Sequence, residues 1–140
     1  NCLFGDPECQ VLMMRLESDL AEILLACAEN RLAKLQPPKF SNDTALTVVM
    51  AANGYPGTPE KGGSIGGIAE AERDGAKVFH AGTAREEDGS LVANGGRVLN
   101  VTAMGKNAAE AQTKAYAAVE RIDFPSGFCR SDIGWREVRR

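Results

Sequence analysis

The sequence predicts an α+β fold in which a helical N-terminal stretch precedes a mainly β region that one further helix crosses. Three observations lead to this prediction. Leucines recur every three or four residues before position 36, as on a helix that buries one face. Short β-branched runs bounded by turn residues lie between positions 44 and 103. A stretch rich in Ala, Glu, Gln and Lys then covers residues 108–122.

The first predicted helix spans about residues 7–35, and Asn30 is the one position where we expect that it could break. Asp6 is a suitable N-cap because its carboxylate can accept backbone N–H groups, and Pro7 suits the first helical position. The helix should end before Pro37, since proline restricts the preceding residue and cannot continue the ladder. The apolar stripe consists of Leu12, Leu16, Leu20, Leu24 and Cys27.

The region after Phe40 is predicted to form strands separated by turns. The predicted strands are Thr44–Ala52, a short one around Ile65 and Ile68, then Lys77–Ala84, Leu91–Ala93 and Arg97–Ala103. Glu87-Asp88-Gly89 is expected to form a tight turn. The glycine-rich run 62–67 does not join a strong strand to a helix start, so no phosphate-binding loop is predicted there.

A second helix and a tail complete the predicted fold. Residues 108–122 should form the helix, with Ala111, Ala115 and Ile122 on one face. The tail through Phe128 and Trp135 is expected to be extended and to dock through its aromatic side chains. The change of character near residues 36–43 marks the expected domain boundary.

Composition excludes several classes of protein. A length of 140 residues allows one hydrophobic core but is short for a two-substrate nucleotide enzyme. A net charge of −3, with 6% aromatic residues and no basic stripe, argues against a nucleic-acid partner. No run approaches the roughly 20 apolar residues of a membrane helix. The first residue is Asn rather than Met, which fits a piece of a longer chain or a processed one.

The cysteines suggest a cytoplasmic protein without a zinc or disulfide framework. The four cysteines form no CxxC pair, and the chain has a single histidine. We therefore expect reduced, structurally idle thiols and a cytoplasmic location.

Seven short motifs resemble one enzyme family, and they arrive in that family's order. The first, Asn1-Cys2-Leu3-Phe4-Gly5-Asp6-Pro7-Glu8, is similar to the N-x-R-F-G-D-P-E signature of glycinamide ribonucleotide synthetases. The others, named by their ranges, are residues 45–49, 54–57, 61–62, 78–83, 95–99 together with 101–103, and 130–134. Each motif alone is weak, but together they extend over nearly the whole chain.

The resemblance implies an ATP-grasp ligase that joins glycine to 5-phosphoribosylamine and releases ADP and phosphate in purine biosynthesis. Residues 1–40 would then end the ATP-grasp domain. Residues 41–140 would form a small barrel-like C-terminal domain similar to that of biotin carboxylase. The nucleotide-binding parts and the N-terminal domain would lie outside this chain, so we expect it to be inactive alone. Two alternatives are another ATP-grasp carboxylase or ligase and a non-catalytic binding module.

The resemblance also implies a metal site at the first residue. The family binds Mg²⁺ or Mn²⁺ through a Glu and an Asn two residues later, and Asn1 matches that Asn. Amide and carboxylate oxygens are suitable hard ligands for these ions. A terminal Asn without a metal is the alternative. Leu3 stands where the family usually has Arg, and Leu cannot supply the bidentate fork that would suit a carboxylate or phosphate.

Four other side chains are candidate substrate contacts, and none is assigned as catalytic. Asp6 and Glu8 follow the expected metal ligand and could face substrate, although helix capping explains them equally well. Tyr55 could form a wall of the cleft or only shape a turn. Lys61 could meet a phosphate, but a solvated loop lysine is more common. His80, on a predicted strand, is more often a hydrogen-bonded structural residue than a base.

Overall fold

The computed structural model describes residues Phe4–Arg140, and within them it contains two antiparallel sheets with helices packed around the larger one. In chain order the elements are α1 (Glu8–Arg15), α2 (Leu20–Ala28), β1 (Thr44–Ala52), α3 (Ile68–Ala71), β2 (Lys77–His80), β3 (Thr83–Arg85), β4 (Leu91–Ala93), β5 (Arg97–Gly105), α4 (Ala108–Val119), β6 (Gly127–Cys129) and α5 (Trp135–Val138). Short 3₁₀ turns occupy Leu32–Lys34 and Glu72–Asp74. The predicted α+β class is confirmed.

The larger sheet has the strand order β2-β5-β1-β6, and all its neighbours are antiparallel. The two long central strands pair from Thr44 opposite Gly105 to Ala51 opposite Arg97. β3 and β4 form a separate two-stranded sheet. The predicted strand Thr44–Ala52 is therefore confirmed at both ends.

The core lies between the large sheet and α4. On this face, cross-strand pairs bury Leu46 against Ala103, Val48 against Val101 and Met50 against Leu99. α4 presents its small side chains to the sheet, and Ala111 and Ala115 are fully buried. Alanines allow a close approach of helix and strand, so a modest buried surface is compensated by tight packing.

The opposite face of the sheet is polar at its centre, and α1 packs against it. Asn100 and Thr102 are both completely buried on this face. The Thr102 hydroxyl donates to Thr47 Oγ1 across the strands at 2.8 Å. Burying polar groups is costly unless they are hydrogen-bonded. Thr102 has its partner within the sheet, whereas the Asn100 amide finds one outside it, at Asp6.

The N-terminal helix prediction is wrong in two respects. The helix breaks after Arg15, because Glu17 N–H bonds the Lys39 carbonyl at 2.9 Å and leaves the helical ladder. α2 then starts afresh with Asp19, whose carboxylate accepts from the backbone at 2.8 and 3.2 Å. Asp6 caps nothing, since Pro7 occupies the N-cap position of α1 without a side-chain hydrogen bond. The break expected near Asn30 is found, with φ of 54° at that residue.

Three further predictions need correction. Ile65 lies between isolated bridges and Ile68 starts α3, so no strand forms there. The predicted strand Lys77–Ala84 is two strands in different sheets, because the chain turns at Gly82. The tail contains β6 and α5 rather than being extended throughout. Its aromatic residues do not anchor it, since Phe128 and Trp135 are more than 40% exposed.

Candidate functional site

An open groove of about 410 Å³ lies on the polar face of the large sheet. Its walls come from the start of α1, the loop after β1, the start of β5 and the tail. The lining residues are Pro7, Thr47, Val49, Ala51, Tyr55, Arg97, Phe128, Cys129, Arg130 and Ile133. Five of the seven sequence motifs, although far apart in the chain, therefore contribute to one surface.

Asp6 lies at the edge of this groove and is held by three side chains. Arg97 Nε is 3.2 Å from Asp6 Oδ2, and Gln10 Nε2 donates to Asp6 Oδ1 at 2.9 Å. The buried Asn100 amide also donates to Asp6 Oδ1. The Asp6 and Arg97 side chains are 25% and 43% exposed, so their ion pair is partly shielded from water. Both carboxylate oxygens are thus engaged within the protein.

The loop after β1 forms a second wall through Tyr55. The Tyr55 ring lies over Gly96, where a Cβ atom would come within 2.5 Å of Tyr55 Cδ2. The Ala52 N–H donates to the Gly96 carbonyl at 2.9 Å, which fixes the loop against the start of β5. Glycine at position 96 is therefore what allows Tyr55 to sit beside Arg97.

The tail forms the third wall and is fastened to α4 by side chains. The Tyr116 hydroxyl donates to the Arg130 carbonyl at 2.7 Å and accepts from the Ile133 N–H at 3.0 Å. Gln112 Nε2 donates to the Ile133 carbonyl at 2.7 Å. These bonds place the Arg130 side chain at the groove.

The charges at this wall are paired. Arg130 donates twice to the Asp132 carboxylate, at 2.7 and 2.8 Å. These hydrogen bonds lower the pKa of Asp132 and raise the pKa of Arg130. Burial raises the pKa of the neighbouring Cys129 thiol, which keeps it protonated and unsuited to nucleophilic attack.

The structure brings some predicted site residues together and separates others. Tyr55 lines the groove and Asp6 lies at its edge. Glu8 and Lys61 are exposed and do not line it. His80 lies on the edge strand β2 and contacts the Thr83 hydroxyl at 3.1 Å.

The metal ligand expected at Asn1, and the substitution at Leu3, lie outside the described residues. Within residues 4–140, no group of three or more His, Cys, Asp and Glu side chains could hold a metal ion. In the same range no helix has the length and apolar character needed to cross a bilayer.

Sequence reasoning missed Asn100, Arg97 and Arg130 as site residues. Arg97 and Arg130 were part of motifs used for the resemblance, but no role followed from their spacing. Asn100 offered one signal: it is an amide at the centre of an otherwise β-branched and apolar run. A buried polar residue on a strand requires a partner, and that requirement could have identified it.

Comparison with known proteins identifies the family. The family described as "Phosphoribosylglycinamide synthetase, C domain" matches residues 45–136. Phosphoribosylamine–glycine ligases from Phenylobacterium zucineum and Escherichia coli are 57% and 49% identical over the whole chain. This chain covers 33% and 32% of those proteins, so it spans about a third of the length of its curated relatives.

Comparison with a solved structure indicates the same family. The crystal structure of phosphoribosylamine–glycine ligase from Thermotoga maritima matches with a TM-score of 0.69 and 34% identity. The match covers 92% of this chain and 31% of that one. The chain therefore belongs to the phosphoribosylglycinamide synthetase C-domain family.

Proposed function

We propose that this chain is the C-terminal part of an ATP-dependent ligase that joins glycine to 5-phosphoribosylamine and releases ADP and phosphate. The observation that carries the proposal is the meeting of separate family motifs at one groove. The names of the relatives support the same reaction. The proposed architecture is the end of an ATP-grasp domain in residues 1–40 and a barrel-like domain in residues 41–140. A cytoplasmic location is part of the proposal.

The groove is suited to a small anionic substrate. Arg97 and Arg130 bring two guanidinium groups to its rim, where each is paired with one carboxylate but has N–H donors beyond those in that pair. The floor is largely apolar, so charges at the rim interact at a lower local dielectric than in bulk water. We infer that these residues bind and orient an acidic substrate, while Tyr55 closes the rim. Substrate contacts by Glu8 and Lys61 stay predictions. Asp6 would not contact the substrate directly but would hold Arg97 at the rim through their ion pair.

The remainder of the reaction needs groups from outside the described residues. ATP would be a co-substrate, and Mg²⁺ or Mn²⁺, for which Asn1 is the proposed ligand, would neutralise phosphate charge. Adenine and most phosphate contacts would come from the rest of the ligase. Without them we expect no glycine-dependent ATP hydrolysis by the 140-residue chain, because positioning supplies most of the catalysis in phosphoryl transfer.

The apolar surface of α2 also supports a longer protein. Leu20, Leu24 and Leu25 are 39%, 59% and 52% exposed on a helix of only nine residues. Exposed leucines clustered on one short helix are typical of a surface that another domain covers. We propose that this surface packs against the preceding part of the ligase.

The test is ADP release by the full-length ligase when glycine and phosphoribosylamine are both present. Arg97→Gln should lower kcat/KM for one of the acidic substrates by about tenfold or more, because a charge-assisted contact is lost. Arg73→Gln is the matched control, since Arg73 is 73% exposed and does not line the groove. No release with the unmodified ligase would refute the proposed reaction. Equal kcat/KM for the two variants would exclude the groove as the substrate site.

A further inference from the structure

We propose that Asn100 is a positioning residue that holds the Phe4-Gly5-Asp6-Pro7-Glu8 segment against the sheet and so fixes the geometry of the active site. The inference rests on the proposed ligase function. It assigns a role to a side chain that does not line the groove and reaches the site only through Asp6.

The buried side-chain amide of Asn100 donates to the carboxylate of Asp6. The Asn100 side chain is 0% exposed at the middle of β5, where it pairs with Val49. Its amide crosses to Asp6, which is 94 residues away in the sequence. Gln10, in the first turn of α1, donates to the same Asp6 oxygen at 2.9 Å. The start of α1 and the sheet are thus joined at one carboxylate.

Stability alone does not explain an asparagine at this position. The other buried positions of β5, apart from Thr102, are apolar, and an apolar side chain at position 100 would avoid burying an amide. The amide oxygen, Asn100 Oδ1, is buried without a hydrogen-bond partner among the described residues, which adds to the cost. What asparagine supplies in return is a directional bond to Asp6.

The hydrogen bond from Asn100 matters because Asp6 belongs to the segment that carries the proposed site residues. Asp6 lies in the same short segment as Glu8 and Pro7, and Pro7 lines the groove. The proposed metal ligand, Asn1, precedes Asp6 by five residues in the sequence. With both oxygens occupied by Asn100, Gln10 and Arg97, Asp6 acts as a tether rather than a free ligand. A small misplacement of a reacting group lowers the rate steeply. Loss of the tether should therefore reduce catalysis more than it reduces folding.

The test compares Asn100→Ala with Thr102→Val in the full-length ligase. Thr102 is the matched control, because it is equally buried on the same face of β5 but donates to Thr47 rather than to Asp6. We expect Asn100→Ala to lower kcat by on the order of tenfold and to raise the magnesium midpoint severalfold. Thr102→Val should lower the melting temperature by a similar amount while both kinetic quantities stay within about twofold of the parent.

A second readout is independent of activity. Hydrogen exchange of the Cys9 amide, which bonds Gly5 at 2.8 Å, reports whether the segment stays in place. Asn100→Ala should accelerate this exchange on the order of tenfold, and Thr102→Val should not. If no ligase reaction is found, the exchange rate still shows whether Asn100 holds the segment around Asp6 against the sheet. Equal exchange and equal kinetics for the two variants would overturn the proposal.

A variant that fails to fold does not leave the question open. Asp6→Asn keeps the shape of the side chain and weakens the same contact from the other partner. In a double-mutant cycle with Asn100→Ser, the two changes should be strongly non-additive in kcat, since each removes the same bond. Additive effects would show that Asn100 acts independently of Asp6.

Discussion

The Tyr116 hydroxyl joins the tail to α4, and its removal should loosen one wall of the groove. Tyr116→Phe deletes a single oxygen that donates to the Arg130 carbonyl and accepts from the Ile133 N–H. The ring can stay in place, so the change leaves the packing of α4 intact. The neighbouring bond from Gln112 to the Ile133 carbonyl also remains.

The size of the effect follows from these two hydrogen bonds. Each contributes about 0.5–1.5 kcal/mol net, which sets an upper limit of about 3 kcal/mol for the pair. Arg130 is exposed, so water can replace the bond to its carbonyl, whereas the Ile133 N–H is half-buried and is left without a partner. A loss of about 1–2 kcal/mol is therefore expected. For a chain of 140 residues this corresponds to a melting temperature lowered by about 3–7 °C.

Thermal unfolding followed by circular dichroism measures the change in this chain. Tyr55→Phe is the control, because the Tyr55 hydroxyl makes no hydrogen bond within residues 4–140 and the residue is 39% exposed. It should shift the melting temperature by less than about 2 °C. A melting temperature for Tyr116→Phe equal to that of Tyr55→Phe would refute the reasoning, since the two bonds would then contribute nothing.

Three further substitutions test other parts of the structure. Gly105→Ala places a Cβ 2.5 Å from Ala111 N in the backbone of α4, and chemical denaturation should show a loss of about 1–3 kcal/mol. The pKa of Glu72 is lowered, first by the Val78 N–H and then by Lys77, so its stabilisation is present near neutral pH and is lost as pH falls below the ordinary Glu value of about 4.3. The melting temperatures of Glu72→Gln and the parent should differ at pH 7 and converge as the pH falls through the lowered pKa of Glu72 in the folded chain. Leu24→Gln should change the stability of this chain by less than about 0.5 kcal/mol, because the side chain is 59% exposed, yet should destabilise the full-length ligase.

Local patterns predicted the elements whose own residues determine them. β1 has a β-branched run and α4 has buried alanines at helical spacing, and both were placed correctly. The break between α1 and α2 was missed because the leucine stripe continues through it. It depends on Lys39, whose carbonyl accepts from Glu17 and whose N–H donates to Ser18, more than 20 residues away. Long-range hydrogen bonds of this kind leave no periodic signal.

In the candidate site, too, residues in local motifs were predicted, whereas residues that depend on long-range contacts were missed. Tyr55 was predicted because it lies in a recognisable turn motif. Asn100 and Arg97 were not assigned roles, since their partner Asp6 is more than 90 residues earlier in the chain. The capping role expected for Asp6 rested on a correct local rule about helix starts. Tertiary contacts from β5 instead occupy that carboxylate.

The packing of α1 bears on the domain boundary expected near residues 36–43. α1 packs against β1 and β5, and its leading Asp6 is bonded to β5, although residues 1–40 were expected to belong to the preceding domain. α2 instead presents exposed leucines away from the sheet. The packing therefore separates α1 from α2 more than it separates α1 from the sheet.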